Sequence, residues 1–229
     1  MDYIYEPLAD ILEYPGDDWR ARLELCRERM KGGSPELARP FDEFCRSVES
    51  LSVAELQELY TFTFDLNPVC ALEVGYHLFG EDYKRGIFLA NLRETEAPYD
   101  LGQDCQLPDY LPVLLRLVVK LEDAELRSDL VSECLIPAIE KMAAALAGSR
   151  SIYSELIATL GEVLKREAPE RSGRAPLSLK CGPEVESPEG VFKPRRGEIS
   201  LAQGVSPGNI PLVRIEPRRG ERIYRPFRA

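Results

Sequence analysis

The sequence predicts an all-α fold over residues 1–168, followed by a basic segment, 169–229, largely without regular structure. Three observations support this. Apolar residues before position 169 recur at three- and four-residue intervals, and no stretch there alternates apolar and polar over the length of a strand. Proline, glycine and helix-capping residues fall between these stripes, where helices should start and stop. From Pro169 onward the periodicity ends, and the last 61 residues hold 9 of the 18 prolines and 7 of the 16 glycines. Such a composition cannot bury enough surface to offset its ordering entropy.

The elements follow in order, about seven to nine helices in one bundle. A short helix fits Pro7 to Tyr14, closed by Pro15-Gly16. The next opens at Asp17-Asp18, turns Leu23, Cys26 and Met30 inward, and reaches a left-handed stop at Gly32-Gly33. Ser34-Pro35 supplies an N-cap with proline at the first helical position, and Leu37, Phe41, Phe44 and Val48 then share one face. Ser52-Val53-Ala54-Glu55 has the pattern of a capping box, ahead of a helix with Leu56, Tyr60 and Phe64 along one side. After Asn67-Pro68, helices are expected from Ala71 to Leu78, stopped by Gly80, and from Asp82 to Glu94. The segment 110–121, opened by Leu107-Pro108-Asp109-Tyr110-Leu111-Pro112, is apolar nearly all round. It is therefore expected to be buried on every face as the central pillar. Residues 123–147 form a long helix that Pro137 should bend and Gly148 should end. A last helix, 151–167, turns Ile152, Leu156, Leu160 and Val163 inward.

Charge divides the chain as the periodicity does. Residues 1–168 carry 32 acidic against 17 basic side chains, a balance of −15, while residues 169–229 carry 7 against 12, a balance of +5. An acidic body disfavours nucleic acid and favours basic ligands. No apolar run approaches the roughly 18 residues of a membrane span, and Asp2, Glu6 and Asp10 stand where a signal peptide would carry positive charge, so a cytoplasmic chain is expected. Within the tail, residues 209–215 and 222–227 look like short docking segments.

Catalytic chemistry has no visible home. The cysteines at 26, 45, 70, 105, 134 and 181 include no Cys-x-x-Cys pair, and they read as reduced packing residues. His77 is the one histidine, which excludes two-histidine metal motifs. There is no glycine-rich phosphate loop, and the carboxylates are dispersed over helix surfaces. No catalytic, cofactor-binding or metal-binding residue is expected.

Four stretches together resemble a known family. They are the opening Leu8-Ala9-Asp10-Ile11-Leu12-Glu13-Tyr14-Pro15, the aromatic run Leu59-Tyr60-Thr61-Phe62-Thr63-Phe64-Asp65, the turn from His77 through Gly80 to Arg85-Gly86, and Leu107-Pro108-Asp109-Tyr110-Leu111-Pro112. In this order and spacing they are similar to the NarJ-type nitrate reductase assembly chaperones, in the wider TorD/DmsD group of redox enzyme maturation proteins. The likeness covers about residues 4–165. Phe79 and Tyr110 stand where many relatives carry histidine, and the tail lies outside the likeness.

The resemblance implies a cytoplasmic chaperone without enzymatic activity or resident cofactor. Its partner would be the apo catalytic subunit of a membrane-bound nitrate reductase, held by its N-terminal, leader-like segment while molybdenum cofactor and iron–sulfur centre are inserted. The alternatives are a client of the dimethyl sulfoxide or trimethylamine N-oxide reductase type, a small helical metal or redox carrier using His77, and an acidic adaptor working through its basic tail. A basic, partly apolar peptide helix suits a groove between helices of the acidic body. On this basis Tyr60, Phe64, Tyr76 and Tyr110 are candidate groove residues, with His77 and Arg85 from the Arg-Gly turn. Asp65 and Asp109 would meet peptide arginine or lysine, or cap a neighbouring helix, and Arg85 would satisfy carbonyls or a carboxylate. Whether the protein is a monomer or a dimer is left open.

Overall fold

Most sequence signals for helix boundaries have a counterpart in the computed structural model, which describes residues 4–32, 35–102, 105–149 and 151–168. Ser34, Gly33, Cys181 and the basic tail, with its two docking segments, lie outside the described residues. The helices are α1 (Tyr5–Leu12), α2 (Trp19–Lys31), α3 (Pro35–Val48), α4 (Val53–Tyr60), α5 (Val74–Phe79), α6 (Tyr83–Glu96), α7 (Leu111–Lys120), α8 (Ala124–Asp129), α9 (Ile136–Leu146) and α10 (Tyr153–Glu167). Because α8 and α9 run together through a π-helical turn, Leu130–Leu135, the described residues form nine helices and no strand. The class is all-α, as the periodicity predicts.

The bundle is organised around α7. Leu111, Pro112, Val113, Leu114, Leu115, Leu117 and Val118 are all buried on it, so the helix is enclosed as its all-round apolarity requires. Helix α1 packs along α7, α2 joins α1 to α3, and α10 lies against α3 and α9. The polar exception on the pillar is Arg116. Its guanidinium donates to the Asp10 carboxylate at 2.8 Å, to Glu13 at 2.9 Å and to the Leu101 carbonyl at 3.2 Å. The opening Asp-Ile-Leu-Glu run therefore ties α1 to the pillar by charge as well as by its buried Leu8 and Leu12.

Local chemistry explains the ends. Ser52 accepts from the Glu55 backbone N–H at 3.3 Å, and the Glu55 carboxylate accepts from the Ser52 backbone N–H at 2.8 Å. This is the reciprocal capping box read from the sequence. Gly148 takes a φ of +82° after α9, a conformation that glycine adopts without penalty. Gly32 corrects an expectation. Its φ is −73°, so Gly32 itself is not the left-handed residue of the expected Gly32-Gly33 stop, and Gly33 lies outside the described residues.

The two proline-linked breaks depart from a simple helix reading. Pro137 cannot donate to the carbonyl four residues back, and the chain widens ahead of it into the π-turn, where the Ile136 N–H reaches the Val131 carbonyl. A second π-turn, Thr61–Asp65, extends α4, with Leu66 N–H donating to Thr61 O at 2.9 Å. A 3-10 turn, Pro68–Cys70, follows. Helix α5 begins at Val74, three residues later than the pattern suggests. The backbone before it instead pairs with the entrance of α7: Leu111 N–H donates to Leu72 O and Val74 N–H to Asp109 O, each at 2.8 Å. Glu73 and Tyr110 thus form an isolated antiparallel bridge.

Candidate functional site

The residues singled out by sequence fall into two internal clusters and one exposed position. The first cluster is aromatic. Tyr60 and Phe64 point inward from the end of α4 and the π-turn, with ring centroids 5.0 Å apart, and Phe64 meets Tyr153 of α10 at 4.8 Å. The Tyr60 hydroxyl donates to the Leu12 carbonyl at 3.0 Å and lies 3.2 Å from the Tyr110 hydroxyl. Burial raises the pKa of both phenols, so they act as neutral hydrogen-bonding groups. Tyr60, Phe64 and Tyr110 are all buried, and they brace the wall behind the π-turn.

The second cluster surrounds Asp109, which is fully buried. Its Oδ2 accepts hydrogen bonds from Arg85 Nε at 3.0 Å and from the Gly75 backbone N–H at 3.1 Å, and Arg85 Nη2 lies 3.0 Å from the same oxygen in an ion pair. The carboxylate therefore caps the first turn of α5 and takes Arg85 as its counter-ion. Of the two roles open to it from sequence, helix capping is the one its contacts fill. Burial outweighs the nearby guanidinium, so its pKa lies above the ordinary value. Arg85 also places its guanidinium 5.8 Å from the centroid of the Tyr76 ring. His77 Nε2 donates to the Ala71 carbonyl at 2.6 Å, and burial lowers its pKa. A neutral, hydrogen-bonded imidazole results.

Gly75 is required by this packing. A Cβ there would lie 2.7 Å from Asp109 Oδ2 and 3.0 Å from Phe88 Cδ1. Gly75→Ala is expected to lower unfolding free energy by about 1–3 kcal/mol through overpacking, measured by urea denaturation. A stability equal to that of the parent would mean that α5 is free to shift.

Above these clusters lies an exposed surface that the sequence reading did not single out. Phe62, Leu66 and Val69 are 72%, 71% and 57% exposed, unusual for three large apolar residues within eight positions. Val69 also lines a groove of about 460 Å³, together with Pro68, Tyr76, His77, Leu78, Gly80, Lys141 and Ala145. The 3-10 turn packs on both the π-turn and α9. Asp65 is exposed on the same π-turn, while Tyr76 and His77 enter the groove from α5. A signal for Phe62 and Leu66 exists in the sequence: they sit four residues apart, off the inward stripe of Leu56, Tyr60 and Phe64.

The groove is open and mostly apolar, with Lys141 as its charged lining residue. Among the described residues, no group of three His, Cys, Asp or Glu side chains is placed to hold a metal ion. No helix of the described residues is long and apolar enough to cross a membrane.

Comparison with curated proteins shows a clear likeness. The chain is 32% identical over 158 residues, covering 68% of its own length and 85% of the relative's, to the probable nitrate reductase molybdenum cofactor assembly chaperone NarJ of Bacillus subtilis (strain 168). No family model matches the chain.

Proposed function

Because the chain belongs to the NarJ-type nitrate reductase molybdenum cofactor assembly chaperones, we propose that it grips the N-terminal, leader-like segment of an apo nitrate reductase catalytic subunit. It holds that subunit back from the membrane until molybdenum cofactor and iron–sulfur centre are in place. One observation carries this reading: the exposed apolar run Phe62, Leu66 and Val69 beside the groove between α5 and α9. A contiguous apolar surface on a charged body marks a docking site for a partner's apolar face. An amphipathic helix fits such a surface through anchors one turn apart.

Each candidate residue then has a position in the work. Tyr76 and His77 line the groove, and Asp65 is exposed on the π-turn that packs against the 3-10 turn. Tyr60, Phe64 and Tyr110 support the wall from beneath. Asp109 and Arg85 fix α5, which carries Tyr76 and His77, against α7. The protein itself makes and breaks no bonds in this reading. Its contribution is binding energy and timing, because a segment held in the groove is withheld from other partners.

Calorimetric titration of the full chain with a synthetic peptide of the catalytic subunit's N-terminus tests the assignment. Phe62→Glu together with Leu66→Glu is expected to weaken binding by about tenfold or more, with an unchanged melting temperature, since both side chains are solvent-exposed in the free protein. Undiminished affinity in that variant would move the binding site elsewhere.

A further inference from the structure

Lys141 lines the groove with a charge opposite in sign to that of the acidic body. It is exposed on α9 and shares the groove with Pro68, Val69, Leu78 and Ala145. Its Nζ donates to the His77 carbonyl, which fixes the ammonium at the groove. An ammonium has three N–H donors, so two remain after that bond. Among the described residues Lys141 has no ion-pair partner, and the adjacent Glu140 is committed to Lys165 at 3.2 Å. A second cation nearby is already paired. Arg85 places its guanidinium 5.8 Å from the centroid of the Tyr76 ring, but it serves the buried Asp109. His77, with its pKa lowered by burial, adds no charge at neutral pH.

We propose that this groove receives an apolar stretch of the client segment that carries an aspartate or glutamate, whose carboxylate accepts from Lys141 Nζ. The inference rests on the reading that the client segment docks at this surface. It adds an acidic contact to a segment that the body as a whole favours as basic. The two demands act at different ranges. The balance of −15 over residues 1–168 attracts a basic segment from a distance, and salt screens that attraction beyond about 8 Å. Lys141 acts at contact, where a lysine or arginine would meet a like charge and a carboxylate would meet free donors. A groove of about 460 Å³ takes only a few side chains at once. The acid therefore stands beside the apolar residues that cover Val69, Leu78 and Ala145, about one turn away in a helical segment.

Calorimetry with the full chain and a synthetic peptide of the catalytic subunit's first residues tests the contact from both sides. First, each Asp or Glu of the peptide is changed in turn to Asn or Gln, which leaves the protein untouched. One such change should weaken binding about three- to tenfold, and the others less. Second, Lys141→Glu should weaken binding of the parent peptide about tenfold or more. A peptide with lysine at the same acidic position should restore affinity for that variant to within about threefold of the parent pair. Lys141 is solvent-exposed, so an unchanged melting temperature is expected. Benzoylphenylalanine in place of Ala145 should crosslink to the peptide within about one helical turn of that acid. Additive losses with no recovery in the exchanged pair overturn the contact. So does a peptide that binds through a stretch without Asp or Glu. A crosslink from position 145 to a second copy of this chain, or to another segment of the chain itself, in place of the peptide also overturns it. If affinity depends on Phe62 and Leu66 but not on Lys141, the acidic contact falls and client binding stands. A peptide with no measurable affinity removes the client reading and this inference together.

Discussion

Replacing Asp109 by alanine should cost about 3–4 kcal/mol of unfolding free energy, more than any single change on the exposed groove surface. The carboxylate is completely buried, and one of its oxygens accepts from Arg85 Nε and the Gly75 backbone N–H while ion-pairing with Arg85 Nη2. Its removal strands the Gly75 N–H at the first turn of α5 and leaves a guanidinium whose side chain is only 22% exposed. Both groups lose a charge-assisted partner in a region of low dielectric. Asp109→Asn keeps an acceptor for Gly75 and should lose less, about 1–2 kcal/mol. Arg85→Ala should be as damaging as Asp109→Ala, because it isolates the buried carboxylate. The double variant should fall short of the sum of the two single losses. Urea denaturation at one pH measures all four. Additive losses would mean that the two side chains do not act as a pair.

The Arg85→Ala variant carries a further signature. Asp109 already has a raised pKa in the folded protein, and loss of the guanidinium raises it more. A carboxyl group with a raised folded-state pKa binds its proton more tightly in the native than in the unfolded chain. Its contribution is therefore favourable below the unfolded value, near 4, and is lost as pH rises through the folded value. The deficit of Arg85→Ala relative to the parent should widen with pH above that point.

The Asp109 cluster also shows how much of this protein is legible as sequence. Pro108 and Pro112 around Asp-Tyr announce a helix entrance, and the apolar run after them announces a buried pillar; both are found at α7. A carboxylate at such an entrance has two open roles, a ligand charge or a cap. Spacing along the chain cannot decide between them, because the deciding partners, Gly75 and Arg85, are 34 and 24 residues away. Tyr60 and Phe64 are similar. Their helical interval gives their shared face, but only the closure of α10 and α1 over them makes that face interior.

The two π-turns were not legible at all. An i to i+5 bond leaves no residue signature at 61–65, and Pro137 signals a disturbance without specifying that it falls one turn earlier. The groove inherits this opacity. Phe62 stands outward on the Thr61–Asp65 π-turn and Leu66 directly after it, and Lys141 reaches the groove from a helix more than 70 residues downstream. What composition did foretell is the setting: an acidic helical body in which an exposed apolar surface stands out.

Stability of the whole domain should fall as pH rises from about 4.5 to about 7, and Glu96→Gln should abolish much of that fall. Glu96 is the last residue of α6 and is 3% exposed, with Oε1 lacking a hydrogen-bond partner among the described residues. Desolvation pushes its pKa up to about 7 from 4.5, partly opposed by Arg93 and reinforced by the negative charge of Asp109. The negative end of the α6 dipole acts in the same direction. The folded state thus holds the proton more tightly than the unfolded chain. Stability is complete below the unfolded pKa and declines as the pH passes through the folded one.

A shift of this size corresponds to at most about 3 kcal/mol, and fraying of the last turn of α6 lets the carboxylate reach water, so about 1–3 kcal/mol is expected. Glutamine retains the shape of the neutral acid and cannot ionise. The variant should match the parent at about pH 4, below the unfolded pKa, and exceed it at pH 8 by that amount, read from urea unfolding at both pH values. The comparison is differential, so the general repulsion of the acidic body, common to both proteins, cancels. Parallel pH profiles for parent and variant would place the proton on another group, with Asp109 the first to be examined through Asp109→Asn, because its buried carboxylate is also held above the ordinary range.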